Sequence, residues 1–139
     1  MKIYTSYFAV ARKLPAEIVQ ISIALHPPKG YKGAKYTKLA PTEAIMRRYK
    51  AGGGTDEYRS LYNRDVLSKR NADDLVANLE QYFGGRDVCF LCYEKPGDFC
   101  HRHIVAEWLE QSGYDVTEWK PEVKDQFSLF DDLGKEQEK

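Results

Sequence analysis

The stretch Arg86 to Trp119 reads RDVCFLCYEKPGDFCHRHIVAEWLEQSGYDVTEW. Val88 to Tyr93 is a short apolar run of the length of a buried strand. Glu94 to Asp98 is a loop, with Pro96-Gly97 as its turn signal. From about Cys100 to Gln111 the period becomes helical, with Ile104, Val105, Trp108 and Leu109 on one face. Gly113 ends that helix, and Tyr114 to Trp119 returns as a strand. Strand, loop, helix, strand is the unit of a parallel sheet. The loop and first helical turn collect Glu94, Cys100, His101, Arg102 and His103. In open α/β sheets, ligands bind outside the carboxyl ends of the strands, which is where these residues fall.

Working outward, Lys2 to Phe8 reads as a first strand. Ala9 to Leu14 reads as a turn or short helical piece stopped by Pro15. Ile18 to Leu25 is rich in β-branched residues and reads as a second strand, ended by His26-Pro27-Pro28. Lys29 to Leu39 reads as a long polar loop carrying Tyr31, Tyr36 and four lysines, solvated or able to close over a polyanion. Pro41-Thr42-Glu43 opens a helix that runs to Lys50 and is broken by Gly52-Gly53-Gly54. Thr55 then caps a helix over Asp56 to about Leu67. Asn71 or Ala72 starts another, with Leu75, Val76, Leu79 and Phe83 at helical spacing, and Gly84-Gly85 ends it. Pro121 to Gln126 allows one last helical turn. The expected fold is a single α/β domain over residues 1–124, with a mostly parallel, Rossmann-like sheet and helices on both faces. Residues 125–139 are expected to be a flexible tail.

The chain of 139 residues is long enough to bury one core. Its 21 basic and 21 acidic residues cancel, which argues against a protein that coats nucleic acid but leaves room for a local basic groove and DNA contact. No apolar stretch reaches membrane-spanning length. The three cysteines cannot all pair within one chain, and no secretory signal is evident. Free thiols in a reducing, cytoplasmic setting are therefore expected.

Three chemistries compete for the central loop. The first is anion capture: a helix N-terminus presents free N–H groups, and Arg102 would add a fork of donors for phosphate, unless it simply pairs with an acid. The second is nucleophilic: Cys100 at the helix start, beside His101 and Arg102, is the best thiol, against the commoner inert cysteine. Glu94 is a rival actor, as acid/base or as a group orienting a ribose hydroxyl. The third is metal: Cys89, Cys92, Cys100, His101 and His103 imitate a zinc pattern. Cys89 and Cys92, however, point to opposite faces of a strand, so no metal and no cofactor is expected. Ser6, Tyr7 and His26 lie near the ends of the other strands and join the ligand-binding candidates.

The segment Leu91 to Leu109 resembles a bacterial and phage family known as domain of unknown function 488. The matching residues are Cys92 and Glu94 of a Cys-x-Glu element and Cys100, His101 and Arg102 of a Cys-His-Arg element. Tyr58 and Tyr62 fall where that family tends to carry an aromatic pair. The chain departs from commoner members after its second strand, where Ile23 to His26 lacks their Asp-x-Arg. The resemblance implies an α/β fold and a shared site, and supplies no reaction. Separately, Gln126-Phe127-Ser128-Leu129-Phe130 is similar to the bacterial sliding-clamp-binding peptide. That similarity implies Leu129 and Phe130 as apolar anchors and Gln126 as a rim contact, unless these side chains pack back on the domain.

Two functions follow. In the preferred one, the chain is an enzyme acting on a nucleotide or nucleic-acid component, by N-glycosidic or phosphate-ester chemistry. Arg102 and the helix N-terminus hold phosphate, Glu94 serves as acid/base, and Cys100 shapes the loop or attacks. In the alternative, a non-catalytic module sequesters a nucleotide-like ligand and is recruited to replication or repair machinery through residues 126–130.

Overall fold

In the computed structural model, residues 1–121 are described. Five parallel strands form one sheet: β1 (Ile3–Tyr7), β2 (Val19–Ser22), β3 (Ala34–Lys35), β4 (Val88–Cys92) and β5 (Val116–Glu118). Their order across the sheet is β3-β2-β4-β1-β5. Four α-helices accompany them: α1 (Glu43–Lys50), α2 (Thr55–Asp65), α3 (Ala72–Tyr82) and α4 (His101–Gln111). The single α/β domain with a parallel sheet agrees with the sequence reading. The last helical turn considered at Pro121 to Gln126, and the clamp-like residues Gln126, Leu129 and Phe130, lie outside the described residues.

β4 is the centre of the sheet, and every one of its five residues is buried. It pairs with β1 on one side (Ile3 opposite Val88, Tyr7 opposite Cys92) and with β2 on the other (Val19 opposite Val88). A strand flanked and covered in this way needs apolar side chains on both faces, which is why Val88 to Cys92 is a continuous apolar run rather than an alternating one.

The two faces are covered unequally. Val88, Phe90 and Cys92 of β4 join the main core with Ile45 of α1, Tyr62 of α2, Leu75 and Leu79 of α3, and Ile104, Val105 and Leu109 of α4. Cys89 and Leu91 face the other way, into a small core made with Ala11, Leu14 and Ile18. That face is covered by a short 3-10 helix, Phe8–Lys13, in place of an α-helix. Both faces thus carry helical cover, with all four α-helices contributing to one core.

Three local features depart from the sequence reading. The long loop is partly ordered as an edge strand, because Ala34 and Lys35 pair with Ile21 and Ser22. Tyr31 folds inward against Phe8, with ring centroids 5.4 Å apart, and its hydroxyl donates to the Ala34 carbonyl at 2.8 Å. Gly33 makes room for that ring, since a Cβ there would sit 2.3 Å from the Tyr31 hydroxyl oxygen. The α2 cap also shifts by one residue: Gly54 is the extended N-cap and Thr55 is already helical. Asp56 and Glu57 in the first turn offset the helix dipole there. Elsewhere Thr42 and Asn71 cap α1 and α3 through their side chains, as their residue types favour.

Tyr62 ties α2 to the segment before α1. It is fully buried, and its hydroxyl donates to the Leu39 carbonyl at 2.5 Å. Removing that hydroxyl strands a buried carbonyl. Tyr62→Phe is therefore expected to cost about 1–3 kcal/mol of stability with little change in fold, measured by urea denaturation monitored by circular dichroism.

Candidate functional site

β2 and β4 lie side by side, yet their connections leave in opposite directions: β2 leads outward to β3, and β4 leads across β1 to β5. Adjacent strands that send their connections apart leave a crevice outside their carboxyl ends. A cleft of about 360 Å³ occupies that place. One wall is Ala24, Leu25 and His26 after β2; another is Cys92, Tyr93 and Glu94 at the end of β4. Cys100 and His101 line it from the start of α4. Helix α1 contributes Met46, Arg47, Tyr49 and Lys50, and Tyr58 and Phe99 complete the aromatic side.

The aromatic residues pack on one another. Phe99 lies edge-on to Tyr58 at 4.9 Å and tilted against Tyr49 at 5.6 Å, while Tyr49 meets Tyr58 at 5.4 Å. Among the described residues, the exposed large hydrophobic side chains are Tyr49, Tyr82 and Tyr93, and two of these three line the cleft. Burial, and then the nearby Glu94 carboxylate, raise the Tyr58 hydroxyl well above its ordinary range, so it stays protonated as a donor. Arg47 and Lys50 are exposed, and Arg47 makes only a loose 3.8 Å pair with Glu43.

His101 is buried and held by one strong contact: its Nε2 lies 2.7 Å from the Ile23 carbonyl. A carbonyl only accepts, so Nε2 carries the proton and Nδ1 presents its lone pair. Nδ1 lies 3.9 Å from the Cys100 sulfur. Burial, assisted by Arg102 and opposed by the Ile23 bond, lowers the His101 pKa to about 4, so the ring is neutral near pH 7.

Arg102 does not line the cleft. It is fully buried behind it, and its guanidinium grips Glu118 at both carboxylate oxygens, Nε to Oε1 at 3.1 Å and Nη2 to Oε2 at 3.0 Å. Its Nη1 donates to the Glu94 carbonyl and to the Cys92 sulfur, the latter at 3.1 Å. Thr5 donates a further bond to Glu118 at 2.6 Å, and the Tyr7 ring lies 5.8 Å from the guanidinium carbon. The phosphate role expected for Arg102 is thereby corrected: its charge already has a carboxylate, and the group positions the loop from behind.

The same geometry sorts the other candidates. His26, Glu94, Cys100 and His101 come together around the cleft. Ser6 and Tyr7 do not line it: Ser6 is buried and donates to the Trp119 carbonyl at 2.9 Å, and Tyr7 packs on Arg102. No residue of the Lys29–Lys38 segment lines the cleft either. The expectation of free thiols holds only for Cys89, which is buried and pushed up to about 12 mainly by burial. Cys92 and Cys100 are joined as a disulfide, because the loop folds the start of α4 back over the end of β4. Cys100 therefore offers no thiol to attack in this state. The sequence reading missed Tyr49, Arg47 and Lys50. These sit on a short helix whose exposed face looks like ordinary solvated surface.

Removing one partner of a buried ion pair leaves the other uncompensated. Arg102→Met is accordingly expected to cost about 3–5 kcal/mol, measured by chemical denaturation. Glu118→Gln, which keeps an acceptor for the guanidinium, is expected to cost less.

Neither the curated proteins nor the solved structures contain a match to the chain. A family model described as the active DUF488-N3 subclade matches residues 3–113, a span that holds Cys92, Glu94, Cys100, His101 and Arg102. The chain belongs to the domain of unknown function 488 family.

Proposed function

We propose that this chain is an enzyme acting on a nucleotide or nucleic-acid component bound in the cleft beyond β2 and β4. One observation carries the reading: the Glu94 carboxylate, an aromatic wall and two exposed cations, Arg47 (loosely paired with Glu43, which also lines the cleft) and Lys50, converge on a single cleft of about 360 Å³. That volume suits a ligand of nucleotide size. Tyr49, Tyr93 and Phe99 offer faces and edges on which a base can stack. Arg47 and Lys50 supply charge for a phosphate at the rim. The N-terminal turn of α4 has no side-chain cap and no acidic residue, so the positive end of its dipole adds to that charge.

Glu94 is the acid/base of this reading. Its carboxylate is on the cleft wall, while its carbonyl is fixed by Arg102. It can take or give a proton during N-glycosidic or phosphate-ester cleavage, or it can orient a ribose hydroxyl. His101, neutral and held by Ile23, forms part of the floor. Arg102 is a positioning residue that keeps the Glu94 segment and the start of α4 in register. The description of the matched family as an active subclade agrees with an enzyme.

The test is a thermal-shift panel of nucleosides, nucleotides, sugar phosphates and short DNA. At a hundredfold excess over the dissociation constant, a ligand should add about 2.7 kcal/mol of stability. Arg47→Ala with Lys50→Ala is expected to abolish the response to phosphate-bearing ligands and leave the nucleoside response intact. Glu94→Gln is expected to keep binding and to lower turnover by about 100-fold or more. No shift with any member of the panel, or shifts indifferent to both sets of substitutions, would overturn the proposal. Binding without turnover in the unmodified protein would favour the sequestering module recruited through residues 126–130.

A further inference from the structure

The three groups buried where β4 ends and α4 begins have a chemistry that the proposed reaction does not use. Cys92 closes β4, Cys100 is the N-cap of α4, and His101 follows it. All three are buried, and the two sulfurs and one imidazole nitrogen lie within 4.8 Å of one another. We infer that, with its two cysteines reduced, this cluster is a site for a borderline-soft divalent ion of the zinc type, bound by Cys92 Sγ, Cys100 Sγ and His101 Nδ1.

Four observations carry this. The first is the tautomer. The Ile23 carbonyl holds the proton on Nε2, so the lone pair of Nδ1 is the one free to coordinate. A carbonyl fixing the distal N–H of a histidine is the usual outer partner of a metal ligand. The second is the surroundings of Nδ1. Its neighbour is the Cys100 sulfur at 3.9 Å, so the free lone pair of the ring and a second ligand atom already face each other. The third is the backbone span. The Cα atoms of Cys92 and Cys100 are 7.4 Å apart, wider than disulfides ordinarily bridge and easily spanned by two sulfurs meeting at one ion. The fourth is access. All three residues line the cleft, which leaves a fourth position open to water or to a bound ligand. Two cysteines, one histidine and an open position form a donor set that catalytic zinc sites use.

Arg102 bears on the site from behind. Its Nη1 donates to the Cys92 sulfur at 3.1 Å, which fixes that sulfur in place, and its own charge is balanced by Glu118. The pattern Cys89-x-x-Cys92 takes no part, because Cys89 belongs to the opposite face of the sheet. Reduction of the disulfide takes two electrons from a phosphine; one water molecule supplies the two thiol protons and gives its oxygen to the phosphine oxide. The two thiols then lose two protons to solvent as they bind the divalent ion, and no further electrons move.

The inference does not depend on what ligand the cleft accepts, and its test uses metal alone. The full chain is reduced with a phosphine, desalted without oxygen, and titrated with cobalt(II) and then zinc. One cobalt per chain is expected, with thiolate-to-cobalt absorption that zinc abolishes. Zinc should also shield Cys92 and Cys100 of the unmodified protein from alkylation, read by peptide mapping. Cys100→Ser and His101→Gln, checked for fold by circular dichroism, should each weaken zinc by more than the roughly 10–100-fold typical of losing an outer partner. His101→Gln retains a donor for the Ile23 carbonyl. A reduced, folded protein that gives no thiolate–cobalt band and no shielding would overturn the site. So would wild-type zinc affinity in both variants. If Cys100→Ser does not fold, the shielding of the unmodified protein decides the matter. Failure here leaves the nucleotide panel untouched, since that panel contains no added metal.

Discussion

The arrangement depends on one buried ion pair. Arg102, in the first turn of α4, reaches over the edge of the sheet to Glu118 at the end of β5. A guanidinium taken out of water is costly unless its donors are met, and here both carboxylate oxygens, a carbonyl and a sulfur meet them. Thr5 of β1 bonds the same carboxylate. One side chain thus ties together α4, β1, the end of β4 and β5. It also fixes the Glu94 segment by its backbone, which leaves the Glu94 carboxylate on the cleft wall. A lysine could not serve, since it lacks the fork that satisfies a carboxylate at two atoms while donating to two further groups.

Around that pair the sheet topology creates the cleft. The connections of β2 and β4 part company, and the space between them is roofed by α1 and α2, which belong to neither connection. All four α-helices contribute to one core, so the roof and floor of the cleft are parts of the same packed layer. The opposite face is a thinner affair of a 3-10 helix and folded aromatic residues, with Tyr31 and Phe8 as its contact. The asymmetry fits a division of labour in which the helical side holds the cleft.

Much of this is visible in the residues themselves. The apolar run Val88–Cys92 announces a central buried strand, and the turn at Pro96-Gly97 followed by a helical period announces the unit that carries the cleft. The opposite orientation of Cys89 and Cys92 follows from strand geometry alone, and the two residues do lie in different cores. What was not legible depends on partners far apart in sequence. Arg102 and Glu118 find each other across a helix and a turn, so a cation that looks available for phosphate is already engaged. Ser6 and Tyr7 sit at the expected strand end, yet they support the sheet and the guanidinium instead of facing the cleft. The edge strand β3 is two residues long and, among the described residues, paired only with β2, too short for any periodicity to mark. Tyr49 and Lys50 become cleft residues only because α1 folds over the crevice, and nothing in the local pattern EAIMRRYK says so.

The proposed enzyme requires that the cleft beyond β2 and β4 accept a nucleotide-like ligand. The most direct measurement is an NMR titration of the protein with nucleoside monophosphates, following the aromatic ring signals. Saturable shifts are expected at Tyr49, Tyr58, Tyr93 and Phe99, with Tyr31 and Tyr82 unmoved. Shifts centred on Tyr31 or Tyr82, or no saturable shift with any nucleotide, would contradict it.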